Sequence, residues 1–399
     1  MAIRHADLRG AARLVTDATA GVTDLVEAVH ERIARVPLVG RPKVDGRVGG
    51  IAGAVYGSVR GVTRAVGGSI DALLRLLEPA GPAGDTSPRR EAAVAALNGV
   101  LGDHLAASAN PLAIAMALRR DGRALLLDRD ALAARLPEAG PSLVVLLHGL
   151  CMSDLQWKRG GHEHGRALAA DLGFTPLYLH YSSGLHVSTN GQALSALLER
   201  LVEQWPRPLQ RLVLVGHSMG GLVARSALHD AAAAGRRWPA RVSDLVFLGT
   251  PHHGAPLERV GNWVESVLGA TPYAAPFARL GRLRSAGITD LRHGSLLDED
   301  WAGRDRFARS PGRRPRPVPL PQGVRCFALT ASVRAGPGNR SARLPGDGLV
   351  PVDSALGRHA DPGRTLAFAA ERQWIGHGMN HLDLLSHPAV YAQVRGWLA

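Results

Sequence analysis

Three short stretches carry side chains that could do nucleophilic chemistry together. Gly216-His217-Ser218-Met219-Gly220 follows the apolar run 211–215 and precedes a helical segment opened by Gly221. A serine alcohol is a weak nucleophile. It attacks a carbonyl carbon only when a base takes its proton and an acid orients that base. A serine between a strand and a helix has the arrangement of a nucleophile elbow. Glycines on either side let the two backbones pass where a Cβ would clash, and the helix aims its first N–H groups at the reacting centre. In a chain with 47 glycines, G-x-S-x-G alone says little. Its place between strand and helix makes it specific.

The partners are sought downstream. Gly346-Asp347-Gly348 lies beyond the apolar run 324–330, and Asp-Gly is turn chemistry that presents a carboxylate at a loop tip. Asn380-His381-Leu382-Asp383 precedes a C-terminal helical segment. Ser218, Asp347 and His381 thus form a candidate nucleophile, acid and base. Asp353 and Asp361 are competing acids and His377 and His387 competing bases, each also readable as a solvated loop residue. A tetrahedral intermediate needs N–H donors for its oxyanion. The residue after the nucleophile, Met219, supplies one, and the loop His148-Gly149-Leu150 after the run 143–147 supplies a second, assigned to Leu150. His148, His252 and His253 read as structural hydrogen-bonding residues.

These groups require elements that converge them. From residue 140 onward, short apolar runs alternate with helical patterns. Strands are expected over 143–147, 175–181, 211–215, 245–248 and 324–330, with a helix over 191–204. That alternation predicts a mostly parallel sheet with helices on both faces, and catalytic groups in loops at the carboxyl ends of strands. Residues 7–36 place Leu8, Ala11, Val15, Ala18, Val22, Leu25, Val29 and Ile33 on one helical stripe. Gly49, Gly53, Gly57 and Gly61 recur every fourth residue, and 69–78 and 91–136 read as helical. The chain therefore divides into a helical N-terminal region, 1–138, and a catalytic domain, 139–399, with a lid-like insertion at about 254–322. The N-terminal region reads as a collar on the catalytic domain, with membrane-surface attachment or oligomerisation as alternatives.

Composition narrows the class. The net charge is +13, but almost all of it is arginine, Lys43 and Lys158 being the only lysines. The densest basic run, Arg313-Arg314-Pro315-Arg316, has no interleaved aromatics to stack on bases, so no nucleic-acid partner is expected. No secretory signal is seen at the N-terminus, and the most apolar run is too short to span a bilayer. Cys151 and Cys326 make neither a disulfide framework nor a zinc site. A cytoplasmic protein, or one peripheral to a membrane through its N-terminal helices, is expected. Its oligomeric state is open.

Leu-Leu-His-Gly-Leu, Gly-His-Ser-Met-Gly-Gly, Gly-Thr-Pro-His-His-Gly, Asp-Gly-Leu-Val-Pro and Asn-His-Leu-Asp occur in that order. In combination they resemble the bacterial triacylglycerol lipase and esterase branch of the α/β-hydrolases, including the GPI inositol-deacylase-like hydrolases. The resemblance covers about 140–399. It implies the α/β-hydrolase fold and hydrolysis of small-molecule or lipid esters through an acyl-enzyme. It puts Ser218, Asp347 and His381 in the triad positions and Leu150 and Met219 at the oxyanion hole. Acyl transfer or amide hydrolysis on the same fold, or binding without catalysis, are the alternative functions. Some lipases of this type hold a calcium through an aspartate at the position of Asp383. The family's second calcium aspartate falls where this chain has Arg325 and Cys326, so no metal and no cofactor is expected. Trp263, Val264, Val267, Leu268, Tyr273 and Phe277 in the insertion could wall an acyl pocket.

Overall fold

Ser-Leu-Val-Val-Leu-Leu at 142–147 and Arg-Leu-Val-Leu-Val at 211–215 are too apolar for a surface and too short for a buried helix. They suit central strands covered on both faces. The protein is represented by a computed structural model that describes residues 6–17, 19, 88–256, 285–303, 315–336 and 346–399. Within it these runs become β3 (Ser142–Leu147) and β5 (Arg211–His217), at the middle of an eight-stranded sheet. In chain order the other strands are β1 (Ala117–Arg120), β2 (Arg123–Ala124), β4 (Thr175–His180), β6 (Val242–Leu248), β7 (Arg325–Ser332) and β8 (Gln373–His377). Their spatial order is β2-β1-β4-β3-β5-β6-β7-β8. All pairs from β4 to β8 are parallel, while β1 runs antiparallel to β4 and to β2.

The helices are α1 (residues 6–17), α2 (Pro88–Ala107), α3 (Arg129–Arg135), α4 (His164–Leu172), α5 (Val187–Gln204), α6 (Met219–Ala233), α7 (Ala286–His293), α8 (Val352–Ala355) and α9 (Pro388–Leu398). The chain is an α/β-hydrolase fold preceded by helices. After β3 it moves to one side to form β4, then returns past β3 to form β5. Sequence order reverses between β3 and β5, and in open α/β sheets ligands bind beyond the carboxyl ends of the strands at such a switch point. The loops after β3 and β5 are the ones carrying Gly149-Leu150 and Ser218.

The described residues group into two compact units, with Leu105–Ala113 joining the N-terminal one. In that smaller unit, Asn110 Nδ2 donates to the Gly10 carbonyl (3.1 Å), Arg13 donates to the Ala109 carbonyl (2.9 Å), and Leu14 is buried. In the larger unit, one core cluster fills one side of the sheet, with Leu146, Val215, Leu248 and Leu329 packed against Trp157, Leu168, Leu384 and Val394.

Two expectations are corrected. The stretch 91–136 is not helical throughout: α2 ends at Ala107, and β1, β2 and α3 follow. Ala-Leu-Arg-Arg at 117–120 has no apolar run because β1 lies near the sheet's edge and buries only Leu118. β8 was likewise not expected. Gln-Trp-Ile-Gly-His is half-buried because it pairs on one side only. The glycine ladder 49–61, the helix at 69–78 and the apolar residues of the insertion from Trp263 to Phe277 lie outside the described residues.

The end of the sheet opposite Ser218 is clamped by charge. Asp244, fully buried in β6, lies 2.9 Å from Arg211 of β5 and 2.7 Å from Arg325 of β7, and accepts from Ser243 Oγ at 2.6 Å. Removing one partner of a buried pair costs about 3–5 kcal/mol when the remaining charge is left dry. Both arginines retain contact with solvent, at 24% and 47% side-chain exposure. Asp244→Ala is therefore expected to lower the unfolding free energy by less, about 2 kcal/mol. Urea denaturation measures this, and an unchanged midpoint would refute the clamp.

Candidate active site

Ser218 joins β5 to α6 with φ 52° and ψ −123°, a conformation that L-residues rarely adopt and that costs about 1–3 kcal/mol. Its surroundings over-determine it. Ser218 N–H donates to the Leu248 carbonyl of neighbouring β6 (2.8 Å), and Gly221 N–H returns to the Ser218 carbonyl (3.1 Å). Gly216 must be glycine, since a Cβ there would stand 2.5 Å from the Gly221 backbone. The serine is almost buried and sits at the first turn of α6, with Met219 as the first helical residue.

The loop after β3 reaches the same point. A Cβ on Gly149 would lie 3.0 Å from Ser218 Cβ, so the backbone of His148-Gly149-Leu150 passes directly against the serine. Met152 N–H closes a turn onto the Gly149 carbonyl (3.4 Å), and Cys151 takes φ 60° within it. Tyr181 donates its hydroxyl to the His148 carbonyl (2.8 Å) and stacks on the His148 ring at 4.3 Å. Burial drives the His148 pKa down to about 3, so the ring is neutral, with Nδ1 donating to the Gly149 carbonyl (2.9 Å).

Asp347 and His381 arrive from loops after β7 and β8 and meet as an ion-pair geometry, Nδ1 to Oδ2 at 2.7 Å. Asp347 Oδ1 accepts from Leu349 N–H (3.0 Å) and Val350 N–H (2.7 Å), which locks the carboxylate. His381 N–H donates to the Asp347 carbonyl (2.9 Å), tying the two loops through backbone as well. Both side chains are buried, at 1% and 4% exposure. Gly249, at φ 61° after β6, lies beneath them, and a Cβ there would come within 3.1 Å of both Asp347 Oδ2 and His381 Cε1.

His217 links this pair to the serine. Its Nε2–H donates to the His381 carbonyl (3.2 Å), the two rings are 4.6 Å apart, and its Nδ1 faces Gly149. Burial first, and then His381, hold its pKa well below 6.5. The sequence reading missed His217 and Tyr181 as organisers of the site. Neither carries a motif signal beyond its position beside one.

The competing residues lie in other roles. Asp361 accepts from Gly363 N–H in an exposed turn, and His387 caps α9 by accepting from Ala389 N–H. Asp353 sits in the first turn of α8, and His377 ends β8. Asp383 accepts from Asn380 N–H (2.8 Å) and stabilises the loop that carries His381.

A second buried charge cluster backs the loop after β3. Arg119 Nη1 bridges Glu91 (2.8 Å) and Asp154 (3.2 Å), and His180 Nδ1 is 3.1 Å from Asp154. Burial pushes the Asp154 pKa upward, but His180 and Arg119 together outweigh it and the net shift is down. Glu91, Asp154 and His180 are the one group among the described residues whose donor atoms are close enough to share a metal ion. Arg119 already supplies positive charge there.

Strand order, the elbow at Ser218 and the converging loops after β3, β5, β7 and β8 define an α/β-hydrolase fold. Residues 140–313 match the family described as the PGAP1-like alpha/beta domain, a segment that includes Ser218 and Leu150 but ends before Asp347 and His381. No curated protein matches the chain. Among solved structures, the mature Bacillus licheniformis lipase BlEst2 is 17% identical with a TM-score of 0.41, over 65% of this chain and 92% of the lipase. Aspergillus fumigatus lipase B is 13% identical with a TM-score of 0.36, over 69% of this chain and 54% of that one. The Pyrococcus furiosus esterase Pf2001 is 14% identical with a TM-score of 0.36, over 65% and 80%.

The histidines around the site make stability depend on pH. His164 is buried, donates through Nε2 to the Leu384 carbonyl (3.0 Å), and has its pKa lowered from 6.5 to about 4 by burial. The unfolded chain takes up a proton below 6.5 that the folded chain refuses. This group's contribution is therefore whole above 6.5 and lost as pH falls toward 4, at about 1.4 kcal/mol per pH unit. His164→Gln should flatten the pH dependence of unfolding by about that slope over this range. Parallel slopes for variant and parent in urea titrations would refute it.

Proposed function

We propose that the protein hydrolyses carboxylic esters through an acyl-enzyme on Ser218. The observation that carries this reading is the buried Asp347–His381 pair at 2.7 Å, on loops that follow parallel strands at the same end of the sheet as the strained Ser218. With Nδ1–H donating to Asp347, the His381 imidazole has Nε2 free of hydrogen and able to accept the Ser218 proton. Ser218 Oγ attacks the ester carbonyl carbon, and its proton passes to His381, whose imidazolium Asp347 stabilises. The Leu150 and Met219 N–H groups receive the oxyanion. The tetrahedral intermediate collapses, His381 protonates the leaving alkoxide, and water repeats the sequence to free the acid. The ordered motif set, which resembles lipases and esterases, favours an ester over an amide.

In this reading 139–399 is the catalytic domain, and β1, β2 and the part of α2 up to His104 group with its sheet. Residues 1–138 would otherwise supply a helical collar or a peripheral membrane contact. No described helix is long and apolar enough to cross a membrane. Cys151 and Cys326 are both buried thiols, which suits a reducing, cytoplasmic setting.

Ser218→Ala is expected to abolish covalent labelling by a fluorophosphonate and to cut turnover of p-nitrophenyl esters by several orders of magnitude, with an unchanged melting temperature. Labelling retained at another serine would overturn the assignment. Asp347→Asn should cost about 10³- to 10⁴-fold in kcat through loss of the tautomer. A larger loss in Asp353→Asn would move the acid there.

Metal removal gives a further check. Since Asp383 is engaged within its own loop, EDTA should change neither hydrolysis nor melting temperature. A loss restored by calcium alone would overturn this.

A further inference from the structure

Arg225 lies seven residues beyond Ser218 on α6, about 10 Å along the helix. It borders a cavity of ≈ 270 Å³ that it shares with His252, His253, Arg316 and Arg364, between apolar walls from Val318 and Leu366. None of Ser218, Leu150, Met219, Asp347 or His381 lines it, so it is separate from the candidate active site. A water molecule takes about 30 Å³ in the liquid, so this space holds far more than one bridging water.

The polar groups around the cavity are donors. Arg225, 4% exposed, donates from Nη1 to His252 Nδ1 (3.2 Å) and from Nη2 to the Val318 carbonyl. A guanidinium only donates, so His252 Nδ1 accepts and the imidazole keeps its proton on Nε2. That Nε2, Arg225 Nε and Arg364 Nε are buried nitrogens with no hydrogen-bond partner among the described residues. Burying a donor without an acceptor is unfavourable. His253 Nε2 is satisfied by the Gly357 carbonyl (3.0 Å), and Arg364 Nη1 by the Pro315 carbonyl (3.0 Å).

The charge is equally one-sided. No carboxylate is among the described lining residues, and Asp300 reaches the rim only by accepting from the Arg316 backbone N–H (2.9 Å). Burial lowers the Arg225 pKa to about 10, which still leaves it cationic at neutral pH. His252 is held neutral, by burial first and then by Arg225, so it offers an N–H rather than a charge. Three arginines with no carboxylate among the described lining residues call for a ligand that brings both negative charge and several acceptor atoms. A tetrahedral oxyanion meets both demands, and planar guanidinium forks match its oxygens.

We propose that this cavity is a second binding site that takes a phosphate-type oxyanion, free or as the head of a phosphorylated ligand. The proposal is independent of the chemistry assigned to Ser218.

The test uses the full chain in a Ser218→Ala background, so that no probe is hydrolysed. Binding of inorganic phosphate, of glycerol 1-phosphate and of phosphatidylglycerol vesicles is measured at fixed ionic strength, against sodium chloride. Saturable binding of phosphate or glycerol phosphate, with a rise in melting temperature, is expected. The Arg316→Gln/Arg364→Gln double variant should weaken it by at least about tenfold. Arg316 is exposed on a loop and Arg364 is half-buried at the end of a single 3-10 turn, so the variant should melt like its parent. Tightest binding of inorganic phosphate supports a free anion. Tighter glycerol phosphate, or vesicle binding lost in the double variant, supports a phosphorylated headgroup. No saturable binding of any probe, or equal binding by parent and double variant, would overturn the proposal.

Discussion

The backbone of Ser218 is the constraint around which the larger unit is arranged. A residue at φ 52°, ψ −123° persists only if its neighbours leave no easier conformation. Here β6 takes its N–H, α6 takes its carbonyl, and Gly216 and Gly221 pack backbone against backbone beneath it. Each of these holds depends on the parallel register of β5 with β6, which runs from Leu212 to His217 against Val242 to Leu248. The Asp244 clamp secures that register at the far end, where Arg211 and Arg325 bind the strands on either side. Strain at one end of the sheet is therefore supported by charge pairing at the other.

The polar groups near the serine are kept in defined protonation states by burial. His148, His164 and His217 are all driven neutral, each with one ring nitrogen donating to a backbone carbonyl. A neutral imidazole with one fixed donor is a rigid spacer: His217 ties the end of β5 to the loop after β8, His164 ties α4 to that same loop, and His148 braces its own loop after β3. The carboxylate of Asp347 is treated differently. It receives two backbone N–H groups and the His381 ring, so its charge is met on both oxygens. Neutral rings and one fully solvated-by-protein anion coexist within a few ångströms because each has its own hydrogen-bond partners.

The arginines that carry almost all of the positive charge acquire particular meanings in the fold. Arg119 is the bridge between two buried carboxylates, and Arg211 is one arm of the strand clamp. Arg225 is buried against His252 and a carbonyl, without a carboxylate among the described residues. The same residue type thus serves pairing in two places and, in a third, has no carboxylate partner among the described residues.

Residue order alone was enough for the central strands, since buried parallel strands are continuous apolar runs, and for the elbow, since a serine between glycines at a strand's end has few other structures. It narrowed the downstream partners to Asp347, Asp353 or Asp361 and to His377, His381 or His387. It could not choose among them by geometry. Only the tertiary structure brings Asp347 against His381, because that contact depends on where β7 and β8 end in space. The edge strands β1 and β8 were illegible for a related reason: a strand covered or paired on one side needs no apolar run, so its sequence does not announce it. The cavity at Arg225 lies furthest from the reach of sequence. Arg225, His252, Arg316 and Arg364 span 140 positions without a shared motif, and they meet because α6, the loop after β6 and two later segments fold onto one another.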